Sequence, residues 1–163
     1  MAGLGFLRKL SKEGKLKIVE PSDNISKSYT IKSDNCLRAA KVLQKEGLYE
    51  NSVSESYYSM YNSVISLMFK CGIKCENHSA AIIILNEIFD MNELKGKLSS
   101  AKKERIDKQY YVADPESAKI TEEVSAKMVK DAEDFVLNLK FFLGRIKTGE
   151  IKNYQKMLED KIK

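Results

Sequence analysis

The segment over about 50–71 constrains this chain more than any other, because it is apolar almost all the way round at helical spacing. Val53, Tyr57, Tyr58, Met60, Tyr61, Val64, Ile65, Leu67, Met68 and Phe69 leave no broad polar face. A helix of that kind belongs at the centre of a bundle, with neighbours on several sides. Its polar exceptions are small. Ser56, Ser59, Ser63 and Ser66 recur every three or four residues, a seam along which a second backbone can approach closely. The seam fits packing within one chain or a contact between two copies.

The same period recurs on either side. After Pro21, the residues Ile25, Tyr29, Cys36, Ala40 and Leu43 share one face and Gly47 supplies a stop, which predicts a helix over about 22–46. Gly72 ends the central helix, and Asn77 is an N-cap for a helix over about 78–89. Another follows over about 92–111, with the stripe Leu94, Leu98, Ala101 and Arg105. Asp114-Pro115-Glu116 combines a cap, a proline at the first helical position and an acid in the first turn, opening a helix whose stripe runs from Ile120 to Ile146. No convincing alternating run marks a strand. The expectation is an all-α, up-and-down bundle of about four to five helices over 22–147, between a basic N-terminal appendage (1–21) and a basic C-terminal tail (148–163).

Composition narrows the class. With 8 Gly, 2 Pro, no Trp and 3 Cys in 163 residues, collagen-like, sandwich-like and disulfide-scaffold folds are excluded. The longest apolar run, 80–85, is far short of the roughly 20 residues that span a bilayer. Reduced thiols and the lack of a signal-peptide pattern at the N-terminus lead us to expect a soluble cytoplasmic protein. No Gly-rich phosphate loop is present, so a kinase, a nucleotide-hydrolysing motor and a dinucleotide enzyme are not expected.

Several residues carry chemistry. Arg105 continues an apolar stripe, and a guanidinium at the edge of a core can clamp phosphate; the plainer role is a partly buried ion pair or a snorkelling stem. His78, the only histidine, stands at a helix start beside Asn77 and Ser79. There it can act as acid, base or phosphate donor, or hold the turn after Gly72 by a hydrogen bond. Cys71, Cys75 and His78 spell C-x3-C-x2-H, but a fourth zinc ligand is wanting, so free thiols and no metal or cofactor are expected. Lys95, Lys97, Lys102, Lys103 and Lys108 surround Arg105, and Arg8, Lys9, Lys12, Lys15 and Lys17 crowd the N-terminus of a chain of net charge +5. Such runs attract nucleic acid, and they also occur as solvated faces. Tyr110 and Tyr111 beside the cations would serve as a stacking platform for single-stranded RNA.

The run Ser54-Glu-Ser-Tyr-Tyr-Ser-Met-Tyr-Asn-Ser-Val, with Phe69-Lys-Cys-Gly-Ile-Lys-Cys-Glu-Asn-His-Ser, Glu104-Arg-Ile-Asp-Lys-Gln-Tyr-Tyr and Asp131-Ala-Glu-Asp-Phe-Val, resembles the HEPN domain in its small stand-alone form. The resemblance implies a dimerising helical bundle that binds RNA or a nucleotide. It further implies frequent pairing with a small nucleotidyltransferase in toxin-antitoxin systems and, in many members, metal-independent endoribonuclease activity. The ribonuclease members carry an Arg followed after four to six residues by a His. Here the segment begins at Arg105, and Tyr110 or Tyr111 stands where that His would fall. A phenol with a pKa of about 10 is a poor general base. If the chain cleaves RNA, Arg105 would stabilise the phosphate, and Asp107, Tyr110, Tyr111 or His78 would handle the proton, Asp107 being the easier base. His78, Tyr111, Lys102 and Lys108 are the binding candidates. The alternative is a non-catalytic helical module that docks a nucleotidyltransferase.

Overall fold

In a computed structural model the backbone of residues 2–110 and 120–163 and the side chains of residues 3–106 and 120–163 are described. The described residues form α1 (Ala2–Lys12), β1 (Leu16–Ile18), α2 (Asp23–Lys45), α3 (Tyr49–Lys70), β2 (Ile73–Cys75), α4 (His78–Glu87), α5 (Asn92–Tyr110), α6 (Glu122–Leu143) and α7 (Thr148–Ile162). The chain is all-α apart from one small sheet.

The all-round apolar helix lies where its composition requires. Val53, Tyr57, Met60, Val64 and Leu67 of α3 are fully buried, with α2, α5 and α6 packed around them. The serine seam faces α2 of the same chain. Ser33 Oγ donates to Ser59 O at 2.7 Å, Ser66 Oγ to Ser26 O at 2.8 Å and Ser52 Oγ to Ala40 O at 2.8 Å. Small side chains let the two backbones close in, and the hydroxyls of Ser33, Ser52 and Ser66 then bond the facing carbonyls, while Ser59 and Ser63 donate to carbonyls of α3 itself. Each such bond contributes about 1 kcal/mol net. Of the two uses open to the seam, packing within one chain is the one observed.

Helix limits follow local chemistry. Ser22 caps α2 by accepting from Ile25 N, and Gly47, at φ 75°, turns the chain into α3. Asn77 caps α4 by accepting from Ala80 N. The proposed Asp114-Pro115-Glu116 start lies outside the described residues; α6 is capped instead by Thr121, which accepts from Val124 N.

Two features differ from the expectation. The end segments are parts of the core: Leu7 and Leu10 of α1 and Leu158 of α7 are buried in the same apolar cluster as α3, and Arg8 Nε donates to Lys161 O at 3.1 Å. These helices are short and lysine-rich, and their few inward leucines and isoleucines, with Phe6 and Tyr154, carry the packing. The second is a two-stranded antiparallel sheet, with Leu16 opposite Cys75 and Ile18 opposite Ile73. Three residues are too few to show an alternating pattern. At its end stands Gly72, φ 69°, where a Cβ would lie 2.4 Å from Val19 O and from Gln155 Nε2. Only glycine satisfies both the backbone angle and the contact.

Candidate functional site

Where α3, the start of α4 and the middle of α5 meet, the chain gathers aromatic rings, a histidine and two cations. Tyr57 and Tyr61 lie one helical turn apart on α3, with Tyr58 beside them. The Asn77 cap fixes the first residue of α4, and this places the His78 ring flat on Tyr61, centroids 3.8 Å apart and planes 10° from parallel. Its Nδ1 is 2.6 Å from Tyr57 Oη. Burial first, then the charges of Lys102 and Arg105, hold the His78 pKa below its ordinary value of 6.5. Burial also pushes the Tyr57 phenol up to about 12. At neutral pH both groups are uncharged, and the pair shares a proton-bearing hydrogen bond.

Arg105 comes from α5. Its guanidinium lies over Tyr58, 4.8 Å from the ring centroid, and 5.4 Å from that of Tyr57. The two ring faces balance part of the charge. Its Nε is buried without a hydrogen-bond partner, and among the described residues no carboxylate pairs with it. A buried donor left unsatisfied costs about 1–3 kcal/mol. One turn earlier on α5, Lys102 Nζ donates to Ser79 Oγ at 2.6 Å, beside His78.

The structure therefore brings His78 to Arg105 and Lys102, although 27 positions separate His78 from Arg105 in the sequence. Tyr111 lies outside the described residues. So do the side chains of Asp107, Lys108 and Tyr110 at the end of α5. Tyr57, Tyr58 and Tyr61 were not singled out in the sequence as site residues, because tyrosine counts as apolar in a helical stripe. Their signal was the i, i+1, i+4 placement of three phenols, each of which needs a polar partner when buried.

Other candidates are used differently. Cys71 is fully buried, with burial raising its thiol to about 12, and Cys75 Sγ donates to Asn77 O at 3.4 Å. His78 Nδ1 is already held by Tyr57. Among the described residues no three His, Cys, Asp or Glu side chains are grouped to hold a metal ion. The N-terminal basic run is partly neutralised, since Glu13 meets Lys15 at 2.8 Å and Lys9 at 3.8 Å. A cavity of about 530 Å3 between α5 and α6 is floored by Met60, Ala101 and Met128; of its rim charges, Glu93 and Asp131 are paired with Lys97 and Lys127. It holds none of the Arg105–His78 group. No helix among the described residues is long and apolar enough to cross a membrane.

Comparison with known proteins places this geometry in context. The model of the family described as HEPN domain matches residues 26–141, an interval that contains the tyrosines, His78, Lys102 and Arg105. A protein of Methanocaldococcus jannaschii named "Putative toxin MJ0605" is 30% identical over 113 residues, covering 68% of this chain and 82% of the relative.

Proposed function

The chain belongs to the HEPN domain family, and on that premise we propose that it is an RNA-binding protein of toxin type whose Arg105–His78 group cleaves the strand without a metal ion. The observation that carries this reading is the Arg105 guanidinium, laid on the faces of Tyr57 and Tyr58 with no carboxylate partner among the described residues. An anionic ligand would balance the guanidinium's charge. A phosphate held by Arg105 and Lys102 sits beside a neutral imidazole.

In the tautomer whose Nδ1–H donates to Tyr57 Oη, His78 keeps a lone pair on Nε2. That nitrogen takes the proton of a ribose 2′-hydroxyl, whose oxygen attacks the neighbouring phosphorus. The bond to the 5′-oxygen breaks, and this oxygen takes a proton from the imidazolium. The products are a 2′,3′-cyclic phosphate and a 5′-hydroxyl. Arg105 and Lys102 stabilise the charge that builds up on the phosphate oxygens. His78 thus fills, from another helix, the role that relatives give to the His after Arg; Asp107, Tyr110, Tyr111 and Lys108 remain candidates for contacts to the strand.

The test is incubation of the chain with mixed RNA in EDTA. The reading expects cyclic-phosphate ends that vanish in His78→Asn and in Arg105→Ala. RNA left intact but retained would confine the chain to binding. RNA neither cut nor retained would favour the second reading, for which the tyrosine at position 110 speaks: a docking module for a small nucleotidyltransferase, in the cytoplasm. Either reading includes a homodimer. Since α2 covers the serine seam, the pairing must use another face, and Leu137 and Phe141 of α6, 65% and 66% exposed, are the apolar side chains that stand out furthest among the described residues.

A further inference from the structure

Next to the Arg105 clamp, an open cavity of about 390 Å3 lies between α2 and α3 at the start of α4. Its aromatic lining is Tyr58, Tyr61 and His78, two of which also belong to the phosphate group: Tyr58 lies under Arg105, and His78 is the proposed base. The remaining lining is polar: Lys32, Cys36, Glu55 and Asn62. Asn62, 4% exposed, donates through Nδ2 to Cys36 Sγ at 3.7 Å. Cys36 and the Glu55 side chain line the cavity together, and burial first, then Glu55, push the Cys36 thiol up to about 11. The thiol therefore stays protonated at neutral pH. The acceptors that the lining offers a ligand are the carboxylate of Glu55 and the Asn62 carbonyl. Lys32, on the α2 side, adds one cationic donor.

We infer that this cavity is a nucleobase subsite selective for guanine, a reading that rests on the phosphate role of Arg105 proposed above. Guanine presents N1–H and the 2-amino group side by side, two donors that match a carboxylate, and next to them O6, an acceptor that matches an ammonium. Adenine and cytosine set a ring-nitrogen lone pair beside their amino group, which opposes a carboxylate. Uracil offers one N–H between two carbonyls. The aromatic lining supplies stacking to any base; the Glu55 and Lys32 pair supplies the choice among them. With guanine in the cavity, its phosphate reaches Arg105 and Lys102 across the shared Tyr58 and His78.

The experiment is equilibrium titration of the full chain, at low salt, with the 3′-monophosphates of guanosine, inosine, adenosine, cytidine and uridine. Guanosine is expected to bind about tenfold or more tighter than adenosine, cytidine and uridine, with inosine between, because it lacks the amino group. Glu55→Gln should bring guanosine down to the level of the other three, and Lys32→Ala should narrow the gap. Equal binding of all five nucleotides by the wild-type chain overturns the subsite, as does a guanosine preference that survives Glu55→Gln in folded protein. Arg105→Ala separates the two readings: it should weaken all five together while the order among them persists. If Arg105→Ala changes nothing while guanosine is still preferred, the phosphate role falls and the subsite stands. If RNA is retained through Arg105 but the nucleotides bind alike, the subsite alone falls. If nothing binds, both fall.

Discussion

Two side chains at the site are held in states that water would not favour. Arg105 keeps a buried Nε without a partner, so its removal deletes an unsatisfied donor as well as a cation–π contact of about 0.5–2 kcal/mol. The two effects oppose each other. Arg105→Ala should therefore change stability by less than about 1 kcal/mol, a shift of about 4 °C at most in the melting temperature. His78 titrates below its ordinary 6.5 because burial and the cations Lys102 and Arg105 disfavour its charge. The unfolded chain then takes up this proton at higher pH than the folded one. Stability from this group is complete above about 6.5 and falls as pH drops below it, until the folded imidazole is protonated as well. Cleavage should follow the same direction, level through neutral pH and lost on acidification. A pH profile of both quantities, repeated in His78→Asn, checks it: the variant should lose this component of the stability profile.

Among the elements, the fold depends most on the close approach of α2 and α3. Ser59 is fully buried, with its carbonyl accepting from Ser33, so Ser59→Leu should cost about 1–3 kcal/mol or more through overpacking in denaturant unfolding. An unchanged midpoint together with conversion of a dimer to monomer would return the seam to an intermolecular role. Gly72→Ala should cost at least about 2 kcal/mol, from the positive φ and the clash with Val19 O. Much of this level was legible in the sequence. The Asn77 cap, the stop at Gly47 and the centrality of the 50–71 segment are local patterns that tertiary structure did not override. The strands were not legible, since three residues carry no period. Nor was the tyrosine group: an α3 stripe of Tyr57 and Tyr61 reads as core until α4 and α5 are known to bring a histidine and a guanidinium to it.

For the molecule as a whole, the family match covers residues 26–141, whereas the apolar core extends beyond it at both ends through Leu7, Leu10 and Leu158. Basic composition concealed this, because a helix needs only one inward residue per turn to join a core. Leu7→Ala or Leu158→Ala should cost about 2–5 kcal/mol, as large as a change within α3, and a loss below about 0.5 kcal/mol would make the ends dispensable. The assembly is reached by light scattering: Phe141→Glu should yield a monomer if the exposed α6 face pairs two copies, and a retained dimer would move the contact elsewhere. In the proposed function the Arg105 guanidinium is reserved for a phosphate of RNA. Retention of a single-stranded RNA by wild type and Arg105→Ala, titrated against salt with both proteins' melting temperatures recorded, tests it most directly. The account predicts binding that weakens steeply with salt and is lost in the variant while the melting temperature stays within about 4 °C. Undiminished binding by the variant, or lost binding that accompanies a collapse in stability, would contradict it.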